Sequence, residues 1–348
     1  MRRSLILITT AVSLSATVFV HAADDLVLSR FSDFLDALRE QSGIPGLAAT
    51  IVSTNDIMWE HANGLRDVER NLPVRTDTPF QIDGSSQLLV AAQVLRCAEE
   101  GRLLLDGRAD SNGGDGATVR QLLTHTTSAA DGLHFSYRLD RLAPLAPAIA
   151  TCTGDTFSGA MISMLERFNM TDSVPGSDGT SWLPASADPG GGVAQRYSSV
   201  LGRVATPYTV DGKSKPTPSR YSATTLTPSS GLISTVRDLA KFDLAIRRGV
   251  QLRAETLALA WSAPNGAGGQ RLPHGMGWFV QSYNGEPIVW QFGVSDSGSS
   301  SMILTAPFRG LTLILLANSS GLARPFSLEA GDVTVSPFAR LFLGIFVR

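Results

Sequence analysis

Strand-forming segments lie near both ends of this chain, while the segments between them have the spacing of helices. Residues 46–52 and 57–61 flank a polar turn and predict an early hairpin. Near the other end, an Asn-Gly turn at residues 284–285 predicts a second hairpin, and residues 300–306 and 311–317 predict a third. The economical arrangement is one antiparallel sheet made from both chain ends.

Apolar residues at helical spacing predict that helices surround this sheet. The clearest runs span residues 28–42, 85–100 and 235–248. Residues 63–79 are polar and contain prolines, so we expect a loop there. Residues 175–192 are rich in glycine, proline and serine and are predicted to be among the loosest parts of the chain.

The predicted fold class is therefore α+β, with an antiparallel sheet flanked by helices and a mainly helical second lobe. The sheet lobe is expected to comprise about residues 23–79 and 250–348, and the helical lobe about residues 80–249. The 348 residues, of which 43% are hydrophobic, suit two lobes that share a core. We expect a ligand cleft between the lobes, where such sites concentrate.

The first 22 residues are typical of a secretory signal. Arg2 and Arg3 form a basic start, residues 5–20 are mostly apolar, and small residues follow. The apolar run is shorter than the roughly 20 residues that a membrane span needs. We therefore expect a domain over residues 23–348 that is exported to the periplasm or secreted, without a membrane span.

Cys97 and Cys152 are the only cysteines. In an oxidising compartment they could pair. Cys97 falls in a predicted helix, which favours a small buried thiol instead, and the sequence leaves both alternatives open.

Charge and histidine spacing argue against several functions. The net charge of −2 gives no reason to expect nucleic acid as a partner. His61, His134 and His274 are isolated and lack the spacing of metal ligands, while His125 follows an apolar helix and is predicted to be structural. We expect neither a metal nor a cofactor.

The stretch from Phe80 to Gln87 leads from a predicted strand end into an apolar helix. Such a layout can hold a nucleophile on the first turn of a buried helix. Here the two positions of interest are Gly84 and Gln87. A glycine offers no side chain to be acylated, and a glutamine amide cannot accept a proton at neutral pH.

Four segments jointly resemble the serine β-lactamase and penicillin-binding-protein-like family, in its class C and esterase branch. Phe80–Asp106 resembles the segment that carries the family's Ser-x-x-Lys, and Thr118–Thr126 its next signature. Leu311–Ser319 resembles its last strand, and Gly321–Phe326 a tail found in one branch. The resemblance implies the same α+β fold. It also implies acyl transfer, in which a serine attacks a carbonyl, a lysine helps to deprotonate it, and a tyrosine relays the proton.

Aligned on that family, Gly84 stands at the serine position and Gln87 at the lysine position. No lysine lies near, since the only three in the chain are Lys213, Lys215 and Lys241. The nucleophile and the base are therefore both predicted to be missing.

The other two family motifs are predicted to be half kept. Tyr137 retains the tyrosine of Tyr-x-Asn, while Leu139 replaces the asparagine, and a simple packing role for Tyr137 stays open. Gln291 replaces the cation of the Lys/His-x-Gly motif. Gly293 is retained, which would let a ligand approach the backbone.

Two functions follow from this resemblance. The first is an exported, catalytically impaired binding or regulatory protein whose cleft holds a peptidoglycan-like or ester ligand without covalent chemistry. The alternative is an active serine hydrolase of esterase, β-lactamase or peptidase type that uses Ser85 or Ser86 with Tyr137. Registers that select these serines put Leu88 or Leu89 at the base position, which favours the first function.

Overall fold

The computed structural model describes residues 25–109, 116–183, 188 and 190–347. The predicted secretory signal lies outside these ranges. Within them, none of the helices combines the length and the apolar character that crossing a bilayer requires.

The chain contains the following elements in order. The helices are α1 (25–41), α2 (Gln87–Glu99), α3 (Val119–Thr124), α4 (Leu145–Thr153), α5 (Phe157–Arg167), α6 (Gly179–Trp182), α7 (Gly192–Leu201), α8 (Val236–Arg247), α9 (Ala254–Ala260) and α10 (Pro337–Phe346). The strands are β1 (Gly46–Val52), β2 (Ile57–Asp67), β3 (Leu72–Pro73), β4 (Phe80–Gln81), β5 (Thr126–Ala129), β6 (Gly132–Phe135), β7 (Val174–Pro175), β8 (Tyr208–Val210), β9 (Pro216–Pro218), β10 (Leu232–Ser234), β11 (Phe279–Tyr283), β12 (Glu286–Ser295), β13 (Ser299–Ala306) and β14 (Leu311–Ala317).

A seven-stranded antiparallel sheet joins the two ends of the chain and confirms the predicted α+β class. Its order is β11-β12-β13-β14-β1-β2-β3. The join is the pairing of β1 with β14, in which Leu47 lies opposite Ala317. The turn between β11 and β12 is the predicted Asn-Gly turn, because Asn284 and Gly285 have φ values of 50° and 80°.

Both faces of the sheet are covered by helices, and alternate residues of β1 belong to different hydrophobic clusters. Leu47, Ala49 and Ile51 share a cluster with apolar residues of α1 and α10. Ala48 and Val52 share the other cluster with residues of α2, α4, α5 and α8. This double cover makes β1 buried along its whole length.

The structure differs from the sequence prediction in two backbone segments. Residues 63–79 are not all loop, because β2 continues to Asp67 and β3 follows it. Pairing with β1 extends to Gly64, and beyond it Leu65 and Asp67 pair with β3, which holds this polar segment as a strand. Part of the segment predicted to be loose, residues 184–187 and 189, lies outside the described ranges. At its last residue, Gly192, α7 begins, and the Asp188 carboxylate accepts from the amides of Val193 and Ala194.

The central part of the chain also contains more strand than a mainly helical lobe implies. Strand β10 lies between β4 and β7 in a three-stranded sheet, and β5–β6 and β8–β9 form two hairpins. Strand β4 forms the first two residues of the stretch from Phe80 to Gln87 that the sequence singled out.

A disulfide bond joins Cys97 of α2 to Cys152 of α4, with their Cα atoms 6.1 Å apart. The structure thus contradicts the unpaired thiol that the helical position of Cys97 favoured. Helical position does not prevent pairing when a second helix packs alongside, as α4 does here.

Candidate functional site

The candidate site is built on the turn that connects β4 to α2. Residues Asp83–Ser86 form one turn of 3₁₀-helix that runs directly into α2, and all four are buried. Asp83 has a φ of 47°, in the left-handed region that non-glycine residues seldom adopt. The turn packs against β12 and β13 of the large sheet.

Gly84 lies in a space too small for a side chain without adjustment. A Cβ atom added there would lie 3.0 Å from Leu139 Cδ1 and 3.1 Å from the carbonyl oxygen of Phe292. Leu139, which was predicted to replace the asparagine of the second motif, therefore borders the predicted nucleophile position. The structure brings these two predicted site residues together.

Gly293 permits the close approach of β12 to the same turn. A Cβ atom there would lie 2.1 Å from the Ile82 carbonyl oxygen and 2.9 Å from the Gly84 nitrogen. The turn thus fills the space in which a side chain at Gly293 would begin, and the predicted role of Gly293 in the approach of a ligand stays a prediction. Its retained glycine has a packing reason in this chain.

Three of the predicted site residues form a direct hydrogen-bond chain. Gln87 Nε2 donates to the Tyr137 hydroxyl over 2.7 Å and to the Gly84 carbonyl over 3.2 Å. The Tyr137 hydroxyl donates to Gln291 Oε1 over 3.1 Å. The packing role considered for Tyr137 is also present, since its ring lies 5.4 Å from that of Phe292.

Two histidines complete this chain, although the sequence gave neither a site role. His125 Nε2 lies 3.0 Å from Gln87 Oε1, and the backbone amide of Arg138 donates to His125 Nδ1 over 3.1 Å. At the other end, Gln291 Nε2 lies 3.2 Å from His274 Nε2, and His274 Nδ1 lies 2.6 Å from the Gly275 carbonyl oxygen. We call His125, Gln87, Tyr137, Gln291 and His274 the site network.

The proton positions of the site network follow from its backbone partners. A carbonyl oxygen can only accept a hydrogen bond. The side-chain nitrogen of Gln87 must therefore face the Gly84 carbonyl, and that of Gln291 the Gly277 carbonyl. Gln87 Oε1 then accepts from His125 Nε2–H, and His274 Nε2 accepts from Gln291 Nε2–H. Every hydrogen bond in the network thereby has one donor and one acceptor.

Burial keeps the site network neutral. It lowers the pKa of His125 to about 3 and the pKa of His274 well below its ordinary value. Burial also raises the pKa of Tyr137 above its ordinary value. At neutral pH both imidazoles are therefore uncharged and the tyrosine keeps its proton. No member is poised to remove a proton from a nucleophile.

The alternative nucleophiles lie in different surroundings. Ser301 donates to the Ile82 carbonyl over 2.7 Å, so Ser85 donates to Ser301 Oγ over 2.8 Å and commits its proton there. The hydroxyl of Ser86 is buried and has no hydrogen-bond partner among the described residues. Among the described residues, no hydrogen bond joins the side chain of either serine to Tyr137 or to a base.

Asp83 is a buried carboxyl group next to the predicted nucleophile position. It accepts hydrogen bonds from the Ser299 hydroxyl and, over 3.1 Å, from Gln81 Nε2. Both donors are neutral, and burial raises the pKa of Asp83 to about 7. The sequence offered no sign of this environment, because burial depends on the packing of the turn.

The described residues contain no cluster of three or more histidine, cysteine, aspartate or glutamate side chains that could hold a metal ion. The predicted site residues Gly84, Gln87, Tyr137, Leu139, Gln291 and Gly293 nevertheless lie together around one turn. Their catalytic and binding roles stay predictions.

Comparison with known proteins identifies the family. The beta-lactamase family model matches residues 31–333, and the chain belongs to this family. A protein described as Esterase EstB from Burkholderia gladioli is 33% identical over 129 residues, a match that covers 34% of this chain and 33% of that relative. The chain thus matches about a third of the length of this curated relative.

Solved structures share the fold over most of the chain. The octameric penicillin-binding protein homologue from Pyrococcus abyssi superposes with a TM-score of 0.71 at 19% identity, covering 91% of this chain and 77% of that one. D-alanine carboxypeptidase AmpC from Burkholderia cenocepacia gives a TM-score of 0.66 at 19% identity, with 85% and 95% covered. At these identities the likeness establishes the fold alone.

Proposed function

We propose that this protein is an exported, catalytically impaired member of the beta-lactamase family that binds its ligand without covalent acyl transfer. The observation that carries this proposal is the site network. At the predicted nucleophile, base and cation positions stand Gly84, Gln87 and Gln291, and the two glutamines share neutral hydrogen bonds with Tyr137.

Both halves of the family reaction lack a chemical group here. Gly84 has no side chain that could be acylated. The Gln87 side-chain amide already donates to the Gly84 carbonyl and to the Tyr137 hydroxyl. Removing a nucleophile or a base alone costs an enzyme several powers of ten in rate. A protein that lacks both does not have this route to an acyl intermediate.

The alternative, an active hydrolase that uses Ser85 or Ser86 with Tyr137, has less support. The proton of Ser85 is donated to Ser301, and the Tyr137 hydroxyl lies between Gln87 and Gln291. A nucleophilic serine needs a base within hydrogen-bond reach, and in the part of the chain that the structure describes neither serine is hydrogen-bonded to one.

The ligand class follows from the relatives and remains part of the proposal. One relative is described as an esterase and another as a D-alanine carboxypeptidase. We therefore propose a small ester or a peptidoglycan-like, cell-wall-derived molecule as the ligand.

Two features support export to the periplasm or secretion. The first 22 residues have the order of a secretory signal. The disulfide between Cys97 and Cys152 is a bond that persists in oxidising compartments.

Intact-protein mass spectrometry tests the absence of acyl transfer. The protein is incubated with a fluorophosphonate, and separately with a penicillin, at excess reagent over several hours. We expect no stoichiometric mass increase. A stoichiometric adduct mapped to Ser85 or Ser86, and abolished by Ser85→Ala or Ser86→Ala, would overturn the proposal in favour of the active hydrolase.

Ligand binding is tested separately on the same protein. Isothermal titration with a D-alanyl-D-alanine peptide and with a short-chain ester is expected to show saturable binding, while the ester stays intact. Saturable binding of neither probe would refute the ligand class.

A further inference from the structure

A cavity of about 280 Å³ lies at the end of β2. None of the site-network residues lines it. Its walls include Arg66, Arg75 and Arg203 together with Asp77, Leu72 and Pro73. Like charges gathered at one small concave site repel one another and favour an anion between them.

The backbone around this cavity is held in place by hydrogen bonds between distant segments. Arg66 Nη1 donates to the Arg203 carbonyl over 2.8 Å. The amide of Thr206 donates to the Arg66 carbonyl over 2.8 Å, and that of Ala205 to the Pro79 carbonyl over 2.9 Å. The walls are therefore preformed by β2, the loop after β3, and the segment after α7.

The arginines differ in how far their charges are compensated. Arg203 pairs with Asp77 over 3.3 Å and also with Asp172. The guanidinium group of Arg75 makes no hydrogen bond or ion pair with any residue of the described ranges. Counting Arg66, Arg75 and Arg203 against Asp77 and Asp172 leaves a single positive charge, since three minus two is one.

Nearby charges leave this balance unchanged. Arg237 also lies close enough to Asp77 and Asp172 for their charges to affect its pKa. Its guanidinium is bound to both carboxylate oxygens of Glu60, at 2.6 and 2.8 Å. That pair is neutral as a whole. Among the described residues, Arg66 and Arg75 both lack a carboxylate partner, but the Arg66 guanidinium already donates to the Arg203 carbonyl, which leaves the Arg75 guanidinium to meet a ligand.

We propose that this cavity binds a small organic monocarboxylate. Its carboxylate pairs with the guanidinium fork of Arg75, and its apolar part lies against Leu72 and Pro73. A guanidinium matches a carboxylate in two parallel hydrogen bonds. A doubly charged phosphate fits less well, because its second negative charge would face the carboxylate of Asp77. This binding site lies outside the site network and is independent of the proposed function.

Titration calorimetry with acetate, butyrate and inorganic phosphate at constant ionic strength tests the proposal. We expect saturable one-to-one binding of butyrate, weaker binding of acetate because it covers less apolar surface, and the weakest binding for phosphate. Arg75→Gln should weaken butyrate binding at least about tenfold, because charge-assisted hydrogen bonds are lost.

Two control variants separate specific binding from general charge. Arg253→Gln removes an exposed arginine that pairs with Glu99 elsewhere, and should leave butyrate affinity unchanged. Leu72→Ser should remove the preference for butyrate over acetate while acetate still binds. Absence of saturable butyrate binding, equal affinity in Arg75→Gln, or tighter binding of phosphate would each overturn the proposal.

Discussion

Buried polar groups form an ion pair at the contact between α8 and the large sheet, whereas those of the site network are uncharged. Asp243 is buried and pairs with Arg247 over 2.6 Å, and it also accepts from the Thr312 hydroxyl over 2.8 Å. Arg247 further donates to the carbonyls of Ser53 and Gly310. Both ions have partners for their remaining atoms.

At the site network, by contrast, no member is charged at neutral pH. Glutamines stand at the positions where the family resemblance predicts two cations, at residues 87 and 291. With both positions neutral, each donor of the site network has an acceptor. The comparison teaches that buried polar groups can be held either as a fully partnered ion pair or as a neutral hydrogen-bond network.

The largest expected effect comes from removing one partner of the buried ion pair between Asp243 and Arg247. Arg247→Met leaves Asp243 buried without its cation and should lower the free energy of unfolding by about 3–5 kcal/mol. Urea denaturation at pH 7 measures this change. Arg253→Met, which removes an exposed ion pair, serves as the control and should change stability little. Similar losses in both variants would contradict the importance of burial.

The next effect concerns Asp83, the carboxyl group beside the neutral network that has no cation. Its pKa is about 7 in the folded protein, against 3.8 for the ordinary group. The folded state therefore binds more protons between those pH values, so the free energy of unfolding should fall as pH rises from about 4 to 7. The raised pKa corresponds to at most about 4 kcal/mol.

Because of Asp83, the free energy of unfolding measured by urea denaturation should be lower at pH 7.5 than at pH 5. Asp83→Asn keeps an acceptor for Ser299 and removes the titration, so its stability should depend less on pH. An unchanged pH dependence in Asp83→Asn would show that other groups dominate.

A third variant removes one member of the neutral site network. Gln87→Leu leaves the buried His125 N–H without its acceptor and the Tyr137 hydroxyl without its donor, and should cost about 1–3 kcal/mol. Gln93 offers a matched control on the same helix, because it is buried but its Oε1 atom has no hydrogen-bond partner among the described residues. Gln93→Leu should be close to neutral or stabilising in urea denaturation. Equal losses in the two variants would refute the idea of a satisfied network.

The smallest effect concerns the space at the predicted nucleophile position. Gly84→Ala should destabilise the protein by roughly 1 kcal/mol, because the new methyl group crowds Leu139 and the Phe292 carbonyl. In a Leu139→Ala background this cost should shrink, giving a coupling energy of at least about 0.5 kcal/mol. Strictly additive changes in urea denaturation would show that Leu139 does not limit the space at Gly84.

The large sheet was accessible from sequence because its signals are local. The Asn284-Gly285 turn and the alternation of strand residues specify each hairpin without knowledge of the rest of the chain. Strand β2 was partly missed because its last residues are polar and depend on pairing with β3. Helix α7 was missed because its first amides are satisfied by Asp188, a contact that only the folded loop reveals.

The site was predictable only where the resemblance named a position. Gln87, Tyr137 and Gln291 were singled out in this way, and the structure places them in contact. His274 follows no recognisable motif and reaches Gln291 only through the packing of its loop against β12. His125 lies in the matched segment Thr118–Thr126, yet its left-handed backbone at the end of α3, with φ of 52°, turns it towards Gln87.

The disulfide between α2 and α4 has a consequence for when the chain can fold. It closes a loop across a sequence separation of 55 residues, which by chain entropy disfavours the unfolded state by about 4 kcal/mol. A chain kept reduced before export, as we propose, lacks this contribution and stays easier to hold unfolded for passage across a membrane. In that case the disulfide would form only after translocation. It would then link α2, the helix that begins at the candidate site, to α4 and stabilise the folded protein on the far side of the membrane.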